Sequence, residues 1–130
     1  MGSLRTLIAG LILIHLVQAL PLCAQTPGFQ TPLRLFATCT GRLSALMEYQ
    51  WLVQDPQSDL TEARRDQMAD LLEAALSKGE EATAMDLRLQ AKVAEAQLLH
   101  RALFGSPDQA AWAWSLAQRQ VADCTALLLS

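Results

Sequence analysis

The chain has 130 residues, with 10 Lys plus Arg against 13 Asp plus Glu and a hydrophobic share of 52%. That length holds one domain, and the mildly acidic balance excludes the basic footprint of a nucleic-acid binder. No strand alternation, internal repeat or low-complexity tract is present in the sequence, which points to an all-α protein.

Residues 1–24 read as an export signal. Arg5 supplies the charged start, and Leu7 to Leu22 an apolar core interrupted by His15 and Gln18. The segment is shorter than the ~20 residues of a membrane span, and Pro21 to Ala24 offer a helix break and a small residue for cleavage after Ala24. Leu22 is larger than the ideal residue at the minus-three position, so a retained anchor, or a lipoprotein acylated at Cys23, stands as the alternative. Cleavage removes Cys23 and leaves Cys39 and Cys124 as an even pair in an oxidising compartment. The expected location is therefore periplasmic or secreted, with no stable membrane span after processing.

Residues 25–31 carry Pro27 and Gly28 and form an exposed lead-in. Residues 32–130 are expected to fold as four helices, at about 32–54, 60–78, 80–104 and 107–129. Thr31 followed by Pro32 starts the first. Its apolar side runs through Phe36, Cys39, Leu43, Leu46, Met47 and Trp51, with Arg34, Gly41, Ser44 and Glu48 facing away. Asp55-Pro56 stops it. Asp59 and Glu62 resemble a capping box for the second helix. Leu60, Met68, Leu71, Leu72, Ala75 and Leu76 are its buried side, and Glu62, Asp66, Asp70 and Glu73 its solvated side. Arg64 falls near the apolar stripe and is expected to snorkel over Trp51, with a place at the groove edge as the alternative. Gly79 suits a left-handed turn after the second helix.

The third helix carries two apolar seams, so it is expected to be central or to lie at a subunit contact. Ala82, Met85, Leu89, Ala96, Leu99 and Leu103 form one, and Leu87, Ala91, Ala94, Leu98 and Ala102 the other. Arg88, Lys92 and Glu95 separate them on one flank. Ser106, Pro107 and Gln109 make a capping box for the fourth helix, whose buried side is Ala110, Trp114, Ala117, Val121, Cys124 and Leu128.

The cysteines select a topology. If the chain turns at Gly79, an up-down-up-down bundle brings the start of the first helix beside the end of the last. Cys39 and Cys124 then meet at one end. A continuous rod through Gly79 would separate them far beyond the ~7 Å that a bridge tolerates between Cα atoms. A Cys39–Cys124 disulfide is predicted on that ground.

The familiar chemistries lack their residues. A di-iron bundle needs Glu-x-x-His pairs, and Gln97 stands three residues before His100. Zinc needs three or four nitrogen or sulfur ligands, and a haem attachment needs C-x-x-C-H. No catalytic residue, metal site or cofactor is therefore predicted. His100 falls on the core-side stripe near the end of its helix and reads as a boundary histidine with a hydrogen-bond partner. The row Glu62, Asp66, Asp70 reads as a solvated face partly offset by Arg65.

Trp51, Phe104, Trp112 and Trp114 collect at the end opposite the disulfide and form a candidate aromatic site, with Trp112 projecting outward as a lid or a contact. The expectation for function is a non-enzymatic protein-interaction module. The seam Leu87, Ala91, Ala94, Leu98 and Ala102 would dock a second copy, as a homodimer, or an envelope protein. The alternative is a small bundle that binds an apolar ligand between helices near Trp51, Phe104 and Trp114.

Overall fold

A computed structural model describes residues 31–129. The readings of residues 1–24 as an export signal and of 25–30 as lead-in lie outside these described residues. Four α-helices follow one another, α1 (Pro32–Leu52), α2 (Ser58–Ala75), α3 (Glu81–Phe104) and α4 (Pro107–Ala126), with no strand among the described residues. None of the described helices is long and apolar enough to cross a membrane.

Local signals account for most of the boundaries. Thr31 Oγ1 accepts from the Arg34 amide at 3.3 Å, with Pro32 at the first helical position. The end of α1 differs from a simple stop at Asp55-Pro56. Gln54 adopts a left-handed φ of 56°. The Asp55 amide donates to the Gln50 carbonyl at 2.8 Å and the Gln54 amide to that of Trp51 at 3.3 Å. This reciprocal pair closes helix C-termini, usually with glycine where Gln54 stands. Asp55 Oδ1 then accepts from the Gln57 amide at 2.9 Å. The second helix consequently starts earlier than expected, and its cap residue, Gln57, makes no side-chain capping bond. Glu62, assigned to a capping box, instead faces Arg65 at 3.4 Å. Ser106 precedes Pro107 as anticipated, although its side chain makes no capping bond either.

Gly79 interrupts the chain between α2 and α3 with φ +91°. The Ser77 amide donates to Glu80 Oε2 at 2.9 Å, and the Glu80 amide returns to the Ser77 carbonyl at 3.1 Å. A β-carbon on Gly79 would meet nothing, so backbone conformation, not crowding, accounts for glycine there.

The helix around which the others pack is α1, which touches α2, α3 and α4. Of the two places expected for the third helix, the central one is thus taken by α1. Leu43, Leu46 and Cys39 of α1 join Met68 of α2, Leu99 of α3, and Ala117, Val121 and Cys124 of α4 in the main core. A smaller cluster unites Leu33 and Ala37 with Leu72 and Ala84. Gly41 and Ser44, expected to face away, are buried. A β-carbon at Gly41 would press into the Arg88 carbonyl oxygen and stand 2.9 Å from the Lys92 amide nitrogen and 3.1 Å from Ala91 Cβ. The backbones of α1 and α3 are therefore in near contact. The hydroxyls on this side are satisfied within α1. Thr40 Oγ1 donates to the Phe36 carbonyl at 2.8 Å and Ser44 Oγ to the Thr40 carbonyl at 2.7 Å. Hydroxyls bonded back one turn can be buried without an external partner.

Other inward assignments also change. Trp51, Leu60, Leu71 and Trp114 are exposed, and Ala113 replaces Trp114 as the buried residue of that turn in α4. Cys39 and Cys124 are disulfide-bonded, with Cα atoms 5.4 Å apart across 85 residues of sequence. On the chain-entropy model a loop of that length contributes about 4.5 kcal/mol. That is large against the usual total of 5–15 kcal/mol.

Candidate functional site

The two seams of α3 have different fates. Leu87, Ala91, Leu98 and Ala102 are half-buried, and only Ala94 is exposed. Leu87 packs against the smaller core cluster, Leu98 against the main one, and Ala91 faces Gly41. The other side is left open. Met85 is 60% exposed, Leu89 56%, Val93 48%, Leu103 45% and Phe104 73%. Of the seam assigned there, Leu99 is buried, while Ala82, Met85, Leu89, Ala96 and Leu103 are exposed. Val93 belongs to the open side and was overlooked, although its i, i+4 spacing from Leu89 marks it.

His100 also lies on the open side, exposed and not on the core stripe. Its ring packs at a tilt against Phe104, with 4.8 Å between centroids. Together with Val93, Ala96, Gln97 and Arg101, these two rings line an open groove of about 550 Å³. The groove runs along one helix surface and includes neither Trp51 nor Trp114, so it is not the interhelical pocket anticipated for an apolar ligand.

The four candidate aromatic residues do not share one contact. Trp114 pairs with Tyr49 at 6.0 Å. Trp112 lies beneath the Arg101 guanidinium, 5.9 Å from its ring centroid, and not over Phe104 as a lid. Trp51 and Phe104 are exposed at the ends of α1 and α3. Trp112 is 52% exposed and continues the apolar side of α3 onto α4 through Arg101.

Charged groups behave unevenly. Arg65 bridges Glu62 at 3.4 Å and Asp66 at 3.1 Å, which offsets the acidic row of α2. Among the described residues no group of three or more His, Cys, Asp or Glu is placed to hold a metal ion. Arg64 does not reach toward Trp51; it lines a shallow groove between α2 and α4 with Gln118 and Val121. Lys92 pairs with Glu48 of α1 at 2.6 Å.

Glu95 is the exception to charge on the surface. Expected on the charged flank between the two seams, it is fully buried, and neither carboxylate oxygen has a hydrogen-bond partner. Burial pushes its carboxyl up from the usual 4.5 to about 7, against the opposing pull of the Arg42 guanidinium. A buried acid of raised pKa is a common mark of a functional site. Here it sits in packed interior, and the grooves along α3 are lined by other residues.

Comparison with known proteins finds no match: no family model, no curated protein sequence and no solved structure is similar to the chain.

Proposed function

We propose that the chain is a small exported, non-enzymatic helical module that binds another protein through the outer side of α3. The observation that carries this reading is the row Met85, Leu89, Val93, Leu103 and Phe104, five large apolar residues on one helix, each about half or more exposed. Single exposed apolar residues are ordinary, but a contiguous patch of several hundred Å² marks an interaction surface. The interacting side is this row and not the Leu87–Ala102 seam, most of which the bundle itself covers.

Contacts between the helices support an up-down-up-down course. Cys39 meets Cys124 and Tyr49 meets Trp114, as expected of α1 and α4 running in opposite directions. Ala37 clusters with Leu72, and Met47 Sδ accepts from Arg65 at 3.9 Å, the same relation for α1 and α2. Export is supported by the paired cysteines and by the signal-like residues 1–24. The apolar-ligand reading retains only the open groove beside His100 and Phe104.

The test uses the chain as the cell exports and processes it. A photo-crosslinking residue at Val93 should yield a discrete adduct, and one at Glu73 on the acidic side of α2 should not. N-terminal sequencing of the same material should begin at Gln25. No adduct from either position, or equal adducts from both, would refute an interaction role for this side of α3.

A further inference from the structure

The outer side of α3 is self-complementary, and we propose that its partner is a second copy of this chain, docked antiparallel helix to helix about a two-fold axis near Val93. This rests on the interaction reading above and names the occupant.

Area is the first support. The exposed parts of Met85, Leu89, Val93, Leu103, Phe104 and Trp112 amount to roughly 700 Å², against about 800 Å² per partner in a stable interface of standard size. A symmetric pair needs no further surface beyond the polar rim.

Charge order is the second. Asp86 and Arg101, both exposed, are 15 positions apart on α3, so they lie on the same flank of the apolar row within about 60° of each other. In an antiparallel pair the same flank of each helix faces its counterpart. With Val93 near its own symmetry mate, Asp86 falls opposite Arg101 of the second copy. Two ion pairs form by symmetry, and Gln90 falls opposite Gln97 of the second copy between them. In that register Met85 meets Leu103, an apolar pair, and Leu89 meets Ala96 and His100. On the other flank the nearest cation is Lys92, which Glu48 of the same chain neutralises at 2.6 Å. An isologous contact of this kind closes on itself and stops at two subunits.

The processed chain should run at twice its sequence mass in size-exclusion chromatography with light scattering, dissociating on dilution. Val93→Glu places like charges at the axis and should give monomers with an unchanged circular dichroism spectrum and an intact disulfide. Asp86→Arg alone and Arg101→Asp alone should each raise the dimer dissociation constant about tenfold, and the two together should restore it. A chain that stays monomeric at 100 µM (a concentration chosen for the assay) overturns the proposal, as does a double charge exchange that fails to rescue. A monomer whose Val93 crosslinks to another envelope protein overturns self-association and leaves the interaction reading standing. A monomer whose Val93 crosslinks to its own N-terminal residues overturns both.

Discussion

Glu95→Gln should remove a fall in stability that the native protein suffers as pH rises from about 5 to 8. The carboxyl is fully buried with both oxygens unpartnered, and its pKa in the fold is about 7 rather than 4.5. Between those two values the unfolded chain is ionised at this position while the folded chain still holds the proton. Unfolding therefore releases a proton, and stability must decrease with pH through that window. The contribution is intact below pH 4.5 and fully lost once the folded group has ionised, above about 7. A shift of this size corresponds to about 3 kcal/mol. Arg42 lowers the pKa but does not reverse the shift. Glutamine keeps the size and the unpartnered polar atoms and removes only the charge, so the two proteins should be nearly equal at pH 5. By pH 8 the variant should be more stable by about 3 kcal/mol. Urea unfolding at pH 5, 6, 7 and 8, with the disulfide intact, measures the difference and cancels the titration of every other group. Parallel profiles across this range would refute the assignment of a buried neutral acid. A variant less stable than the native protein at pH 8 would show that the carboxylate has a partner.

Two further perturbations probe the fold. Gly41→Ala should gain about 1 kcal/mol of helix propensity and lose more, because the added methyl meets the α3 backbone at Arg88 and Lys92 and not a side chain that can move. Overpacking costs about 1–3 kcal/mol, so a net loss visible as a lower midpoint in urea is expected; a higher midpoint would mean the two backbones are not in contact. The two left-handed positions should respond with opposite signs. Gln54→Gly should stabilise and Gly79→Ala destabilise, each by about 1 kcal/mol, because a β-carbon is disfavoured where φ is positive. Thermal unfolding of both variants checks the pair.

Helix number, the break at Gly79 and the disulfide partners were all readable from the residues. Each depends on local chemistry or on a distance limit that only one arrangement satisfies. The centre of the bundle was not readable. Thr40, Gly41 and Ser44 look like a solvent-facing side of α1 because small and polar residues usually are. Their burial depends on α3 approaching closely enough to need a missing β-carbon, and on hydroxyls that bond back to their own helix. Neither condition has a period in the sequence.

The fate of the α3 seams follows from the same approach. Periodicity shows that the helix has two apolar sides and cannot rank them, since both repeat equally well. Side-chain size ranks them. Only the side carrying Ala84, Ala91 and Ala102 lets the α3 backbone reach Gly41; Met85, Leu89 and Val93 would hold the helices apart. Once that side turns inward, Glu95 is carried in with it, between Ala91 and Ala102 on the same face. The bulky side is left in solvent together with Phe104. The buried acid and the exposed row are thus two consequences of one close contact between α1 and α3. A substitution at Gly41 that pushes those helices apart should therefore lower the pKa of Glu95 by admitting water, in the same variant whose stability it reduces.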